Sequence, residues 1–223
     1  VGLMFDSIIK ENNLYDKKNK DREMRNVYDY VLSEMHYGKP KSIDNIYYND
    51  PWLSEYGKYG MKQVSRDDVV NLYKEAKENE GSYTFGNGNS IYACDIGVGN
   101  CTDYHSYFIS LSRTMDTPAR FHMGFSIPES NEGKVGGYHC WADYYVKEKG
   151  WYPVDISEAD KAPEKSDYFF GRICRNRVEM MVGRDFVLYG YEGDTANLFI
   201  YPLLEIDDVK SNAFKIFFSY KNI

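Results

Sequence analysis

Cys101 is the residue of this 223-residue sequence whose setting is most typical of chemistry. It lies in residues 99–108, GNCTDYHSYF, after a glycine-rich approach. The spacing of Tyr104, Phe108 and Leu111 predicts a helix that begins at or just after Cys101 and turns the sulfur toward the protein interior. Unpaired backbone N–H groups and the helix dipole favour the thiolate there. Cys101 is therefore a candidate nucleophile.

A cysteine nucleophile needs a base that takes its proton and a group that orients the base. His139 opens one strand candidate and Asp155 lies toward the end of the next. Their spacing places them on one face if they pair across an antiparallel hairpin. A symmetric turn would leave them roughly 10 Å out of register, so we expect a turn shifted toward Lys147 or a bulge. Trp141 shares the face of His139 and could exclude water.

Three alternatives remain open for these side chains. Cys101 could be a buried structural thiol, a common role of free cysteine. His105, one turn after Cys101, could contact the thiolate, or it could be a half-buried histidine with ordinary partners. A zinc site is the third alternative, although the spacing lacks a C-x2-4-C pair and adjacent strand residues point to opposite faces. The conceivable zinc ligands are Cys94, Cys101, His139 and Cys140.

The elements that would position these residues follow from hydrophobic periodicity. Helices are predicted over Asp21–Tyr37, over Ser65–Ala76 and from Cys101 to about Pro118, and residues 81–90, GSYTFGNGNS, are predicted to form a loop. Strands are predicted in RFHMGFSI (120–127, with one apolar face), GYHCWADYYV (137–146), GWYPVDIS (150–157), NLFIY (197–201) and AFKIFFSY (213–220). This order predicts an α+β fold with helices on one side of a twisted antiparallel sheet.

Composition excludes some functions. The net charge is −7 and the pI is near 5.2, so the chain has no basic surface for nucleic acid. No apolar run reaches the ~18 residues of a membrane helix. Four cysteines are too few for a disulfide scaffold. Because the sequence begins without methionine, we expect a processed chain, and an extracytoplasmic or secreted location is favoured over a cytoplasmic one.

Three motifs together resemble the bacterial branch of the transglutaminase-like superfamily, whose core is related to papain. They are GNCTDYHSYFISLSRTMDTPARF (99–121), GYHCWADYYVKEKGWYPVDISEA (137–159) and YFFGRICRNRVEMMVGRDF (168–186). The resemblance implies a triad of Cys101, His139 and Asp155. Met115 and Asp116 depart from it, because the family commonly has a small or aliphatic residue and a glycine there.

The resemblance leaves the second donor to the oxyanion unassigned. The backbone N–H of Cys101 is the natural first donor. Trp52 and Tyr92 are the candidates for the second.

Residues 1–223 are predicted to form a single domain, with a helical part over about 1–80, a catalytic core over about 85–192 and strands over about 195–223.

The resulting hypothesis is acyl transfer through a thioester on an amide bond. The resemblance favours hydrolysis, as by a peptidase or amidase, over protein cross-linking, and a non-catalytic binding module is the remaining alternative. A protein or peptide substrate is expected, cell-wall amides included. This chemistry implies no metal and no organic cofactor.

Overall fold

A computed structural model describes residues 2–37, 86–191, 193, 195–196, 203–207 and 209–222. Three predictions lie outside these residues: the helix over 65–76, the strand over 197–201 and any role of Trp52.

Helices and strands are numbered along the described residues. The helices are α1 (Gly2–Glu11), α2 (Lys20–Glu34), α3 (Ser90–Ile96), α4 (Cys101–Thr114) and α5 (Ile156–Lys161), which a 3₁₀ turn, Pro163–Lys165, follows. The strands are β1 (His36–Tyr37), β2 (Val98–Gly99), β3 (Ala119–Ser126), β4 (Glu132–Lys134), β5 (Tyr138–Val146), β6 (Gly150–Val154), β7 (Arg177–Val182), β8 (Glu205–Ile206), β9 (Val209–Lys210) and β10 (Ser219–Lys221). Helices and a four-stranded sheet together make the fold α+β, as predicted.

The chain divides into two compact units. The first unit consists of Val1–Arg120 and Trp141–Ile173, and the second consists of Phe121–Cys140 and Cys174–Ile223. The expected single domain with its three parts stays a prediction.

Helix α2 confirms the amphipathic pattern of the first predicted helix. Asn19 caps it by accepting a hydrogen bond from the backbone N–H of Arg22, and its apolar residues Met24, Val27, Tyr28 and Val31 are buried. The predicted end at Tyr37 is wrong, because Met35 is already extended and β1 pairs in parallel with β2. The backbone N–H of Tyr37 donates to Asp160. The pairing of β1 with β2 therefore ends the helix before the apolar periodicity of the sequence ends.

Helix α4 is the centre of the first unit and contacts α1, α2, α3 and α5. Tyr104, Tyr107, Phe108 and Leu111 are completely buried. The ring of Phe108 packs edge-on against Tyr144 of β5, with centroids 6.3 Å apart. The predicted helix from Cys101 is thereby confirmed, and it supplies most of the core on which the candidate nucleophile rests.

The turn after α4 accounts for one departure from the family pattern. Asp116 has a φ of 54°, in the left-handed region that favours glycine and that aspartate also tolerates. The backbone N–H groups of Asp116 and Thr117 donate to carbonyls of the last helical turn. An aspartate thus fills a position where a glycine is common without opening the turn.

Each unit contains a pair of antiparallel strands. In the first unit, β5 and β6 form an antiparallel hairpin whose pairs run from Val146 with Gly150 to Ala142 with Val154. The backbone N–H of Tyr145 donates to the carbonyl of Pro118. In the second unit, β3 and β7 pair antiparallel with a bulge between Met123 and Gly124.

Strand β3 corrects the prediction of one apolar face and one polar face. Residues 121–125 are all buried, including His122 at 2% exposure. Strand β7 approaches closely at Gly124, where an added Cβ would lie 1.8 Å from the carbonyl oxygen of Val178. Only glycine fits where two backbones approach so closely. The alternating sequence pattern predicted burial of one face of β3, whereas both faces are buried over residues 121–125.

Two further predictions about elements need correction. Residues 213–218 are not a strand; only Ser219–Lys221 pairs, with β4, and Phe217 is 80% exposed. Among the described residues, the carbonyl of Phe218 accepts from the backbone N–H of Val135, but the segment forms no continuous ladder, and apolar alternation alone does not supply the pairing that a strand needs. The loop predicted over 81–90 is confirmed at residues 86–89, and residues 81–85 lie outside the described residues; its end is corrected, because Ser90 already begins α3, which Asn89 caps and Gly97 ends at a φ of 70°. These are ordinary signals for the ends of a helix.

Candidate active site

Cys101 is the first residue of α4, as the sequence predicted. Asn100 caps the helix, and its side-chain oxygen accepts a hydrogen bond of 2.8 Å from the backbone N–H of Thr102. Cys101 itself is 4% exposed. All four cysteines are free thiols. The position combines a nearly enclosed sulfur with the positive end of a capped, 14-residue helix.

Asp103 completes the cap and was not singled out from the sequence. Its side chain accepts from the backbone N–H groups of Asn100 at 3.0 Å, Gly86 at 2.9 Å and Gly88 at 3.1 Å. It thereby ties the 86–88 segment to the start of α4. The spacing of Asn100 and Asp103 matches a capping box with aspartate as its second member, which is a signal that the sequence carried.

The environment of Asp103 makes its charge sensitive to pH. Burial raises the pKa of Asp103 to about 6, the three backbone donors oppose this increase, and negative charge on Cys101 adds to it. Gly99 leaves room for the carboxylate, because an added Cβ there would lie 2.5 Å from the Cβ of Asp103. The start of α4 therefore includes a buried acid whose pKa is raised to about 6.

His105 is completely buried, not half-buried as the structural alternative supposed. Its Nδ1 lies 2.6 Å from the carbonyl oxygen of Cys101, and its Nε2 lies 3.2 Å from the backbone nitrogen of Ile156. A carbonyl only accepts and an amide N–H only donates, so these partners define a neutral ring with its hydrogen on Nδ1. His105 bonds the backbone of Cys101, which favours the structural interpretation over contact with a thiolate.

Asp155 lies outside the strand in which the sequence placed it. It is the N-cap of α5, is completely buried, and accepts from the hydroxyl of Ser157 at 2.9 Å and the backbone N–H of Glu158 at 3.0 Å. One of its oxygens lies 3.9 Å from Nε2 of His105. The prediction of a strand position is wrong because the backbone N–H of Asp155 donates to Phe169 instead of continuing the β5–β6 ladder.

The hairpin register also corrects the predicted pairing of residues 139 and 155. Val146 pairs with Gly150, so the turn is shifted toward Lys147 as expected. The shift is smaller than the one that would place His139 opposite Asp155. Continued by one step, this register would place residue 155 opposite residue 141. The ladder thus offers no direct pairing of His139 with Asp155, and the even spacing on which that prediction rested does not decide their relation.

The structure brings Cys101, His105 and Asp155 together within the first unit, and Trp141, 3% exposed, belongs to the same unit. His139, on β5, belongs to the second unit and is 7% exposed. Its role as the base stays a prediction, as does the role of Trp141 in excluding water.

Tyr92 is 2% exposed within α3, and its backbone N–H donates to Asn89. That backbone N–H is therefore engaged, which limits any role of Tyr92 as an oxyanion donor to its hydroxyl. The second donor stays unassigned.

Two findings concern ligands and membranes. Among the residues that the structure describes, no three histidine, cysteine or acidic side chains are grouped so as to hold a metal ion. No helix within the described ranges has both the length and the apolar character needed to cross a membrane.

Residues 55–156 match the model of the transglutaminase-like superfamily. This range contains Cys101, His139 and Asp155, and it begins within residues that the structure does not describe. A protein of Haemophilus influenzae described as uncharacterized is 30% identical to this chain over an alignment that covers 58% of the chain. The chain spans 44% of the length of that relative.

Two solved structures are similar to the chain at low identity. A candidate cysteine protease from Cytophaga hutchinsonii has a TM-score of 0.44 and 12% identity, covering 81% of this chain and 42% of its own. A structure of Rad4–Rad23 bound to a 6-4 photoproduct UV lesion has a TM-score of 0.33 and 14% identity, and the match covers 71% of this chain and 34% of that one. These TM-scores are too low to support an argument about function.

Proposed function

Because residues 55–156 match the model of the transglutaminase-like superfamily, we propose that the chain is a cysteine enzyme that transfers the acyl group of an amide through a thioester. The observation that supports this most is the position of Cys101, nearly enclosed at the start of a capped helix whose dipole favours the thiolate. In the proposal, Cys101 is the nucleophile, His139 is the base and Asp155 orients the base.

The reaction begins when His139 takes the thiol proton of Cys101 and the sulfur attacks the amide carbonyl carbon. The backbone N–H of Cys101 donates to the oxyanion of the tetrahedral intermediate. As the C–N bond breaks, the imidazolium of His139 returns the proton to the departing amine. The acyl group is then bound to sulfur as a thioester.

The second half of the reaction decides between two products. If His139 activates a water molecule, the thioester is hydrolysed to a carboxylic acid, as by a peptidase or amidase. If a lysine amine attacks instead, the product is a new amide and the protein is a cross-linking transferase. We favour hydrolysis and a protein or peptide substrate, cell-wall amides included.

The first experiment measures the rate of iodoacetamide alkylation at Cys101 between pH 5 and pH 9, with peptide mass spectrometry to identify the site. We expect fast alkylation at pH 6 in the native chain and a shift of the profile toward pH 8 or above in His139→Ala. Cys174, which is partly exposed, serves as a reference thiol in the same samples. An ordinary profile near pH 8.5 in both proteins would refute the triad and favour a non-catalytic binding module.

Hydrolysis and cross-linking are separated by a second assay. Dimethylcasein is incubated with a fluorescent primary amine and the enzyme, and both free carboxylate and covalently bound amine are measured. The proposal predicts new carboxylate without incorporation of the amine. Incorporation that depends on Cys101 would instead identify a transferase.

A further inference from the structure

His105 has no role in the proposed chemistry, yet it joins two of the three residues that do. Its ring lies between the backbone of Cys101 on α4 and the backbone of Ile156, the residue that follows Asp155. All of these residues belong to the first unit. Because one rigid ring contacts both segments, displacement of either segment would strain a hydrogen bond to the other.

The hydrogen bonds of His105 define what it can do. Nδ1 donates to the carbonyl oxygen of Cys101 at 2.6 Å, and Nε2 accepts from the backbone N–H of Ile156 at 3.2 Å. Both ring nitrogens therefore have a backbone partner, which leaves the ring poorly suited to accept the thiol proton. A catalytic role as the base is disfavoured, and a structural link between two segments is what the contacts describe.

The Asp155 side of the link is equally constrained. Oδ1 of Asp155 accepts from Ser157 and Glu158 in the first turn of α5, and it lies 3.9 Å from Nε2 of His105. Because the ring is neutral in this arrangement, the 3.9 Å approach is not an ion pair. The backbone bond to Ile156 therefore fixes the start of α5, and with it the carboxylate that caps this helix.

Resting on the proposed function of Cys101 and Asp155, we infer that His105 is a positioning residue that holds the nucleophile and the orienting carboxylate in one fixed relation. In this role it acts through the backbone on both sides. Small displacements of catalytic groups reduce rates strongly, so loss of the link reduces the reactivity of Cys101 even where the protein stays folded.

The main test is a double-substitution cycle read by the pH profile of Cys101 alkylation with iodoacetamide. His105→Asn keeps an amide that can donate to the carbonyl of Cys101 but is too short to reach Ile156. Asp155→Asn removes the charge while keeping a side chain that can cap α5. We expect His105→Asn to slow alkylation at pH 6 by about tenfold and to have no further effect in the Asp155→Asn background.

Controls separate positioning from general damage to the fold. His122→Asn replaces an equally buried histidine of the second unit, whose Nδ1 bonds Glu179, and is expected to leave the Cys101 profile unchanged. His105→Gln has the reach to accept from Ile156 and is expected to recover part of the lost rate. Multiplicative effects in the double variant, or a native profile in His105→Asn, would overturn the inference.

A measurement on the native chain covers the case in which His105→Asn does not fold. A two-bond ¹⁵N–¹H correlation spectrum identifies the tautomer of each histidine ring. Between pH 6 and pH 8 we expect His105 to be neutral with its hydrogen on Nδ1, and a hydrogen on Nε2 would overturn the inference.

The inference and the proposed function can fail separately. If His139→Ala shifts the Cys101 profile and His105→Asn does not, the function stands and the positioning role is wrong. If Cys101 behaves as an ordinary thiol in the native chain, the proposed function itself is wrong.

Discussion

His105 and His122, both buried, differ in what their rings bind. His105, in the first unit, bonds backbone groups with both nitrogens. His122, in the second unit, has Nδ1 2.6 Å from the carboxylate of Glu179, whose side chain is 50% exposed. A backbone partner cannot ionise or change rotamer, whereas a surface carboxylate can do both. The surroundings of His105 are therefore suited to holding a geometry.

The same contrast extends to apolar side chains. In the first unit, α4 buries every residue from Cys101 to Ile109. In the second unit, Val187, Tyr189 and Phe217 are at least 80% exposed, and β7 exposes Val178, Met180 and Val182. Since burial of apolar surface is the main favourable term in folding, most of the stability is expected to come from the first unit.

Substitution of a core phenylalanine should have the largest effect on this comparison. Phe108→Ala leaves a cavity between α4 and the ring of Tyr144, and we expect it to lower the free energy of unfolding by about 4 kcal/mol. Phe217→Ala is the matched control at 80% exposure and should change it by less than about 0.5 kcal/mol. Urea unfolding measures both. Equal decreases in the free energy of unfolding for the two variants would contradict the proposed difference in stability between the two units.

Asp103 gives a pH-dependent prediction of intermediate size. Its pKa in the folded chain is about 6, against 3.8 as the ordinary value. The folded state therefore binds this proton more tightly than the unfolded state does, so the contribution of Asp103 to stability is fully present below pH 3.8 and is lost as pH rises through about 6.

Comparison with Asp103→Asn isolates this contribution. The free energy of unfolding of the native chain, minus that of the variant, should rise by up to about 3 kcal/mol as pH falls from 7 to 4. Urea unfolding at several pH values measures it. A difference that is flat across this range would show that the three backbone donors compensate fully for burial.

The smallest predicted effect on stability comes from the helix caps. Asn100→Ala and Asn89→Ala should each lower the free energy of unfolding by about 1 kcal/mol, since each removes the cap of one helix. Only Asn100→Ala should also slow alkylation of Cys101 at pH 6, because α4 presents the thiol. Equal slowing in both variants would mean that the cap acts through stability alone.

The sequence by itself determined the local elements around the candidate nucleophile. The helix from Cys101, the amphipathic α2 and the β5–β6 hairpin follow from hydrophobic period and turn residues, which are local properties of the chain. The Asn100–Asp103 capping box and the Asn89 cap of α3 were readable by the same rules. The order of three motifs also carried the resemblance to the superfamily.

Only the tertiary structure decided which side chains share hydrogen bonds. The backbone N–H of Asp155 donates to the carbonyl of Phe169, and no local pattern encodes a partner fourteen residues away. His105 joins Cys101 to Ile156, which lies 51 residues after His105 in the chain. Residues 213–218 show the converse, since their apolar pattern is not accompanied by a strand ladder among the described residues. Periodicity records the face that an element buries, whereas the partners on that face depend on how distant segments pack.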